Sequence, residues 1–314
     1  MVAAYVNRRL RGATLGMCLG LGLLFLSACS APDVVASLDG KTILTTEGLI
    51  EQAKAMDLCL HEGKATLADQ SDEDKNRFYK DVARQMMTDA LIAKDEALVT
   101  NSDILFADAW SEAVQRFGGE KGLLAQLQNY HISKEYFSDS LRSVARQKAH
   151  RTAFYTAHPV TEDAVKAYFE KHKKESALLT YSQVTVPTRS EAKEIVQKLK
   201  NSPKEIAEYE SVVNNDLFEQ TTFHRYTDIG YDDHDVVDTD IFTQPLGSVA
   251  FYYDASREIY AVVYLEGRKD AYKDVKQAVQ NKVQEQQYLE YLNALAKKYD
   301  LRCDVNSVPQ QTKR

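Results

Sequence analysis

The stretch DAYKDVKQAVQNKVQEQQYLEYLNALAKKY, Asp270 to Tyr299, decides how this chain is organised. Val275, Val279, Val283, Leu289, Leu292 and Leu295 recur mostly at three- and four-residue steps, so the segment reads as one amphipathic helix. A helix of this kind gains its stability by burying its apolar stripe, not from propensity alone. The stripe is expected to return and pack on the block of helices that opens the chain.

That block begins after a short hairpin. Val34 to Leu44 reads as two strands around Asp39-Gly40, a pair that supplies the positive φ a tight turn needs. Thr45 or Thr46 then caps a helix to about Leu60. Ser71, followed by Asp72, Glu73 and Asp74, starts a second helix to about Leu98. A third covers Ser102 to Arg116 and stops at Gly118-Gly119. Glu120–Gln128, Ser133–Thr156 and a helix from Thr161 to about Lys174 complete the block. The pattern then changes. Leu178–Val186, Val249–Tyr253 and Glu258–Leu265 are strand-like, Ser190–Lys200 is an amphipathic helix, and Tyr226–Asp240 reads as an Asp-rich loop. The expected fold class is mainly α with an α+β insert: a discontinuous helical domain, residues 29–176 completed by 269–308, around an insert at 177–268, with a polar tail at 309–314.

Length and composition agree with this plan. The 314 residues suit one large domain or two ordinary ones, and 44% hydrophobic with 27% charged residues is a globular balance. A net charge of −7 argues against a general nucleic-acid binder, so no nucleic-acid partner is expected.

Residues 1–28 read as an export signal. They hold Arg8, Arg9 and Arg11, no acidic residue, and an apolar run from Leu15 to Leu26 too short to span a bilayer comfortably. The run ends Leu26-Ser27-Ala28-Cys29, which resembles the bacterial lipobox. That resemblance implies lipidation of Cys29, and with it an exported protein held to a membrane by lipid, facing the periplasm or the outside of the cell.

The hairpin Val35-Ala36-Ser37-Leu38-Asp39-Gly40, the turn Phe117-Gly118-Gly119 followed by Tyr130-His131-Ile132-Ser133, and Val160-Thr161-Glu162-Asp163 occur in an order that resembles the SurA/PrsA class of extracytoplasmic foldases. The resemblance implies a helical chaperone domain, a parvulin-like prolyl isomerase domain, and unfolded exported proteins as partners. The isomerase-like segment departs from its pattern. Glu191-Ala192-Lys193-Glu194-Ile195 matches a parvulin helix, but Gln183 stands where the first strand carries a histidine, and Ala261 lies nearest the second. A chaperone without efficient isomerase catalysis is therefore expected. An active isomerase and a structural or solute-binding lipoprotein are the alternatives.

Other chemistry is sparse. Asp232, Asp233, His234, Asp235, Asp238 and Asp240 could attract a hard cation but lack the spacing of a calcium loop, so no metal or other cofactor is expected. Cys59 and Cys303 are the thiols left after export and lipidation, and an oxidising compartment permits a bridge between them. The reading of Cys29 is directly testable. Cys29→Ser is expected to abolish labelling by a radioactive fatty acid and to move the protein from the detergent phase to the aqueous phase on phase partition.

Overall fold

The computed structural model describes residues 34–60, 66–95, 97–98, 101–213, 221–231, 239–254 and 258–304. The signal segment, Cys29, and the Asp232–Asp238 part of the acidic cluster lie outside the described residues. Packing divides the chain after Pro159 and after Val283: Val160–Val283 form one unit, and the rest of the described chain forms the other.

The first unit starts with the hairpin, β1 (Val34–Leu38) and β2 (Lys41–Thr45). Asp39 and Gly40 both take positive φ, 50° and 74°, as a two-residue turn requires. Helices follow in the expected order: α1 (Thr46–Leu60), α2 (Asp72–Lys94), α3 (Ser102–Arg116), α4 (Glu120–Asn129) and α5 (Lys134–Ala157). Ser71 and Ser133 cap α2 and α5, each accepting a backbone N–H three residues on. The helix α2 ends at Lys94, four residues before the sequence expectation, because Asp95 leaves the helical conformation.

Three apolar clusters fill this unit. One joins β1 and β2 to α1 and α2 through Val35, Leu44, Leu49, Met56, Val82 and Met87. A second gathers Ala55, Leu58, Ala113, Leu123, Leu127 and Phe137 from α1, α3, α4 and α5. The third joins Leu38, Leu91, Ile92 and Phe154 to Tyr288, Leu292 and Leu295, which belong to the returning helix α9 (Tyr272–Lys298). The chain then closes the sheet: β7 (Arg302–Cys303) pairs antiparallel with β1, giving the order β2-β1-β7. Asp39 N–H donates to the Tyr299 carbonyl at 2.9 Å, and Asp304 N–H to the Val35 carbonyl at 3.0 Å.

The second unit holds α6 (Glu162–Lys171), whose Val165 and Phe169 pack with Val275, Val279 and Val283 from the first half of α9. Its sheet contains β3 (Leu178–Val186), β4 (Thr222–Ile229), β5 (Val249–Asp254) and β6 (Ile259–Lys269) in the antiparallel order β4-β3-β6-β5. The domain limits read from the sequence are 176/177 and 268/269; the sheet runs from Leu178 to Lys269, whereas packing divides the chain at 159/160 and 283/284, with α6 and the first half of α9 on the side of the sheet. A capping box of Thr188 and Glu191 starts α7 (Arg189–Asn201), and α8 (Ile206–Val213) follows. The fold class is as expected, mainly α with an α+β insert. The strand β4 departs from the expectation of an Asp-rich loop starting at Tyr226. Its His224, Arg225 and Asp228 break the apolar alternation, and it becomes a strand by pairing along β3.

One buried carboxylate organises the first unit locally. Asp57 is fully buried in α1 and accepts the N–H groups of Thr66 at 2.7 Å and Leu67 at 2.8 Å, plus the Thr66 hydroxyl at 3.0 Å. Asp57→Ala orphans these donors and is expected to destabilise the unit by about 2–4 kcal/mol. Urea unfolding followed by the fluorescence of Trp110, the one tryptophan of the chain, measures it.

Candidate functional site

The sheet of the second unit presents two different faces. One carries Val184, Val186, Val262 and Tyr264, covered by Ala192, Ile195 and Leu199 of α7. The other carries Tyr181, Gln183 and Thr185 on β3, Ala261, Val263 and Leu265 on β6, and His224 and Tyr226 on β4. Gln183 and Ala261, the positions read as degenerate isomerase residues, therefore share a face on adjacent strands. Gln183 is opposite Val263 and His224, and Ala261 is opposite Thr185 and Tyr252. Both are buried. The hydroxyls of Thr185 and Thr222 are hydrogen-bonded to each other beside them.

His224 is the residue that strand-by-strand reading missed. It is exposed on β4, across from Gln183, with its ring 6.1 Å from that of Tyr226, which stacks on Tyr181 at 4.9 Å. No sequence signal marked it, because β4 itself was not legible. Among the described residues the face thus holds one imidazole, on a strand where the resemblance implied none, and no second one next to Gln183 or Ala261.

The helix-covered face has an open cavity of about 260 Å³, lined by Pro203, Ile206, Phe223 and Tyr264, with Ser182 and Arg225 at its polar side. The Ser182 hydroxyl and the Arg225 guanidinium both donate to the Glu266 carboxylate. The Glu266 carboxylate is already paired with the Arg225 guanidinium, and Lys204 and Glu210 add charge to the lining, so the cavity sets apolar walls beside a charged rim. Among the described residues, no cluster of His, Cys, Asp or Glu is arranged to hold a metal ion.

The thiols stand apart. Cys59 and Cys303 are both free, so the bridge considered from the sequence does not form. Cys59 ends α1 in the cluster with Trp110 and Phe117, whereas Cys303 pairs across from Ala36 and packs with the β1–α1 cluster. Burial pushes the Cys59 thiol up to about 12 and the Cys303 thiol up to about 11, so neither is a ready nucleophile.

The first unit bears an aromatic surface on α3. Ile104 is 64% exposed, and Phe106 and Trp110 are half-buried on the same helix. Basic groups lie over both rings: Arg142 is 4.1 Å from the Phe106 centroid and Lys134 is 5.4 Å from that of Trp110. Leu124 on α4 adds a side chain that is 42% exposed. The arrangement can grip apolar or aromatic side chains without fixing their sequence.

No protein-family model matches the sequence, and no curated protein matches it either. Solved structures do. The solved structures to which this chain is similar are SurA-like chaperones and PrsA foldases. One is from a study of two structurally related SurA-like chaperones of Campylobacter jejuni, with 13% identity, a TM-score of 0.36, and coverage of 87% of this chain and 99% of that one. The foldase PrsA of Streptococcus pneumoniae gives 13% identity, a TM-score of 0.37, and coverage of 88% and 97%. The PrsA peptidylprolyl isomerase of Bacillus anthracis gives 18% identity, a TM-score of 0.32, and coverage of 70% and 98%. At such identities and TM-scores, the function of this chain has to be read from its own residues.

Proposed function

We propose that this chain is a lipid-anchored extracytoplasmic chaperone that holds unfolded exported polypeptides and does not catalyse prolyl isomerisation efficiently. The observation that carries the reading is the apolar surface of the helical unit, exposed Ile104 with half-buried Phe106 and Trp110 on α3 and exposed Leu124 on α4. Folded proteins rarely leave such groups in water without a partner that covers them. Unfolded chains offer apolar side chains in no fixed order, which suits a surface of aromatic rings flanked by Arg142 and Lys134. The export signal and Cys29 support an anchored location outside the cytoplasm, with lipid as the link to the membrane. No helix among the described residues is long and apolar enough to cross a membrane.

The weak-catalysis part rests on Gln183 and Ala261. Isomerisation must lower a barrier of about 18–20 kcal/mol by stabilising a twisted amide with placed polar groups. A buried Gln and a buried Ala at these positions supply little of that. One observation favours the second reading, an active isomerase: the exposed His224 imidazole stands across from Gln183.

Paired assays on one preparation separate the readings. The mature protein is expected to suppress aggregation of a chemically unfolded client at near-stoichiometric ratios while leaving proline-limited refolding unaccelerated. Trp110→Ala with Phe106→Ala is expected to lose most of the suppression. Failure to suppress aggregation of several unrelated clients sinks the chaperone reading; accelerated refolding that His224→Ala removes establishes the isomerase.

A further inference from the structure

A stripe of polar residues runs along the buried side of α5: Ser140, Ser143, Gln147 and His150, all nearly inaccessible to solvent. The first three find partners on α5 itself or on one neighbouring helix, Ser140 with Gln52 of α1 and Gln147 with Ser143 and the Gln85 carbonyl of α2. His150 is different, because it bridges two other elements at once. Its Nε2 is 2.8 Å from Asp95 Oδ2 at the end of α2, and its Nδ1 is 3.0 Å from the Tyr288 hydroxyl on α9. The Tyr291 hydroxyl, also on α9, donates to the same Asp95 oxygen at 2.6 Å, and the Ala97 N–H donates to Asp95 Oδ1 at 3.1 Å. Two residues of the returning helix are thus tied to α2 and α5 through one imidazole and one carboxylate.

Hydrogen counting gives one arrangement that closes this network. With His150 neutral and Asp95 ionised, Nε2–H donates to Asp95 and Nδ1 accepts from Tyr288, so every donor has an acceptor. Adding a proton at Nδ1 turns the acceptor into a donor. The Tyr288 oxygen must then accept, and its own hydrogen loses its partner inside a fully buried site. An imidazole is the side chain that ordinarily changes charge between pH 5 and 8.

The surrounding groups have their own partners. From α5, Arg151 lies 5.5 Å from the Tyr288 ring centroid and 3.9 Å from Glu285 of α9, Tyr155 donates to Glu285 at 2.7 Å, and the His158 ring is 6.1 Å from that of Tyr291. Just past the end of α9, Tyr299 donates to the Lys94 carbonyl at 3.0 Å. At Asp95, burial alone would raise the carboxyl. The hydrogen bonds from Tyr291, His150 and Ala97, with the attraction of a charged His150, outweigh it and hold the group below the ordinary carboxylate range. Its anion is favoured in the folded state, so its contribution is present above that range and is lost only as the pH falls below it.

We propose that His150, Asp95, Tyr288 and Tyr291 form a proton-operated latch on the C-terminal half of α9, closed when His150 is neutral and loosened when it takes a proton. Loosening uncovers the apolar residues beneath, Leu91, Ile92 and Phe154, which pack against Tyr288, Leu292 and Leu295. On the chaperone reading, on which this last consequence rests, acid then adds client-binding surface to the helical unit.

Amide hydrogen exchange on the full mature chain tests the latch without any client, so its failure and that of the chaperone reading are separate. Exchange over residues 284–298, corrected for intrinsic rates, is expected to rise about tenfold or more between pH 7.5 and 5.0. The first half of α9, residues 272–283, serves as the internal control and is expected to change far less. His150→Gln keeps one donor for Asp95 and one acceptor for Tyr288 without a titrating group, and its exchange is expected to stay flat. The NMR titration of the His150 ring in the unmodified protein is expected to share its midpoint with the exchange change. No rise in the unmodified protein, an equal rise in His150→Gln, or a His150 ring that stays neutral to pH 5.0 overturns the proposal; the NMR arm decides even if the variant fails to fold.

Discussion

The first unit depends on a segment that reaches it only after the chain has left and made another unit. Leu38, Leu91, Ile92 and Phe154 are buried because Tyr288, Leu292 and Leu295 cover them. The backbone of β1 gains its second strand neighbour only when Arg302 and Cys303 arrive. Neither requirement can be met locally, since a buried apolar face and an unpaired strand edge both need an external partner. The insert can be long because loop-closure entropy grows slowly with the length of what is looped out.

The same junction carries polar groups where an all-apolar seam would have packed. The Asp95–His150–Tyr288–Tyr291 set ties α9 to α2 and α5 by directional bonds, with Asp95 Oδ2 shared by His150 and Tyr291. Directional bonds of this kind specify placement more than they add stability. The helical unit thus combines apolar clusters that hold it together with a polar seam that says where the last helix goes. The proposed client-holding role would need a surface that stays accessible without unravelling the unit beneath it. The α3 aromatics meet this need, because Trp110 makes an edge contact with buried Phe137 at 6.3 Å while Ile104 faces water.

Much of the fold was legible because it is written in periodicity and caps. The valine and leucine steps of Asp270–Tyr299, the Asp39-Gly40 turn, the Ser71 and Ser133 caps and the Thr188–Glu191 box all act within a few residues. The strand β4 was illegible because an edge strand with His224, Arg225 and Asp228 owes its conformation to β3, not to its own pattern. The end of α2 was misplaced because Asp95 leaves the helix to serve His150 and Tyr291, partners 55 and 196 residues away. The candidate isomerase positions were readable as residue types. Their shared face and the neighbouring His224 needed the register. The polar stripe on α5 did leave a signal, the three- and four-residue spacing of Ser140, Ser143, Gln147 and His150, but a histidine in a stripe does not name its partners.

The returning segment completes the helical unit. Urea unfolding of a chain ending at Val283, set beside the full mature chain and followed through Trp110 in that unit, is the sharpest check. The shortened chain is expected to lose its cooperative transition or to unfold at a much lower urea concentration. A transition with the same midpoint and steepness as the full chain would contradict it.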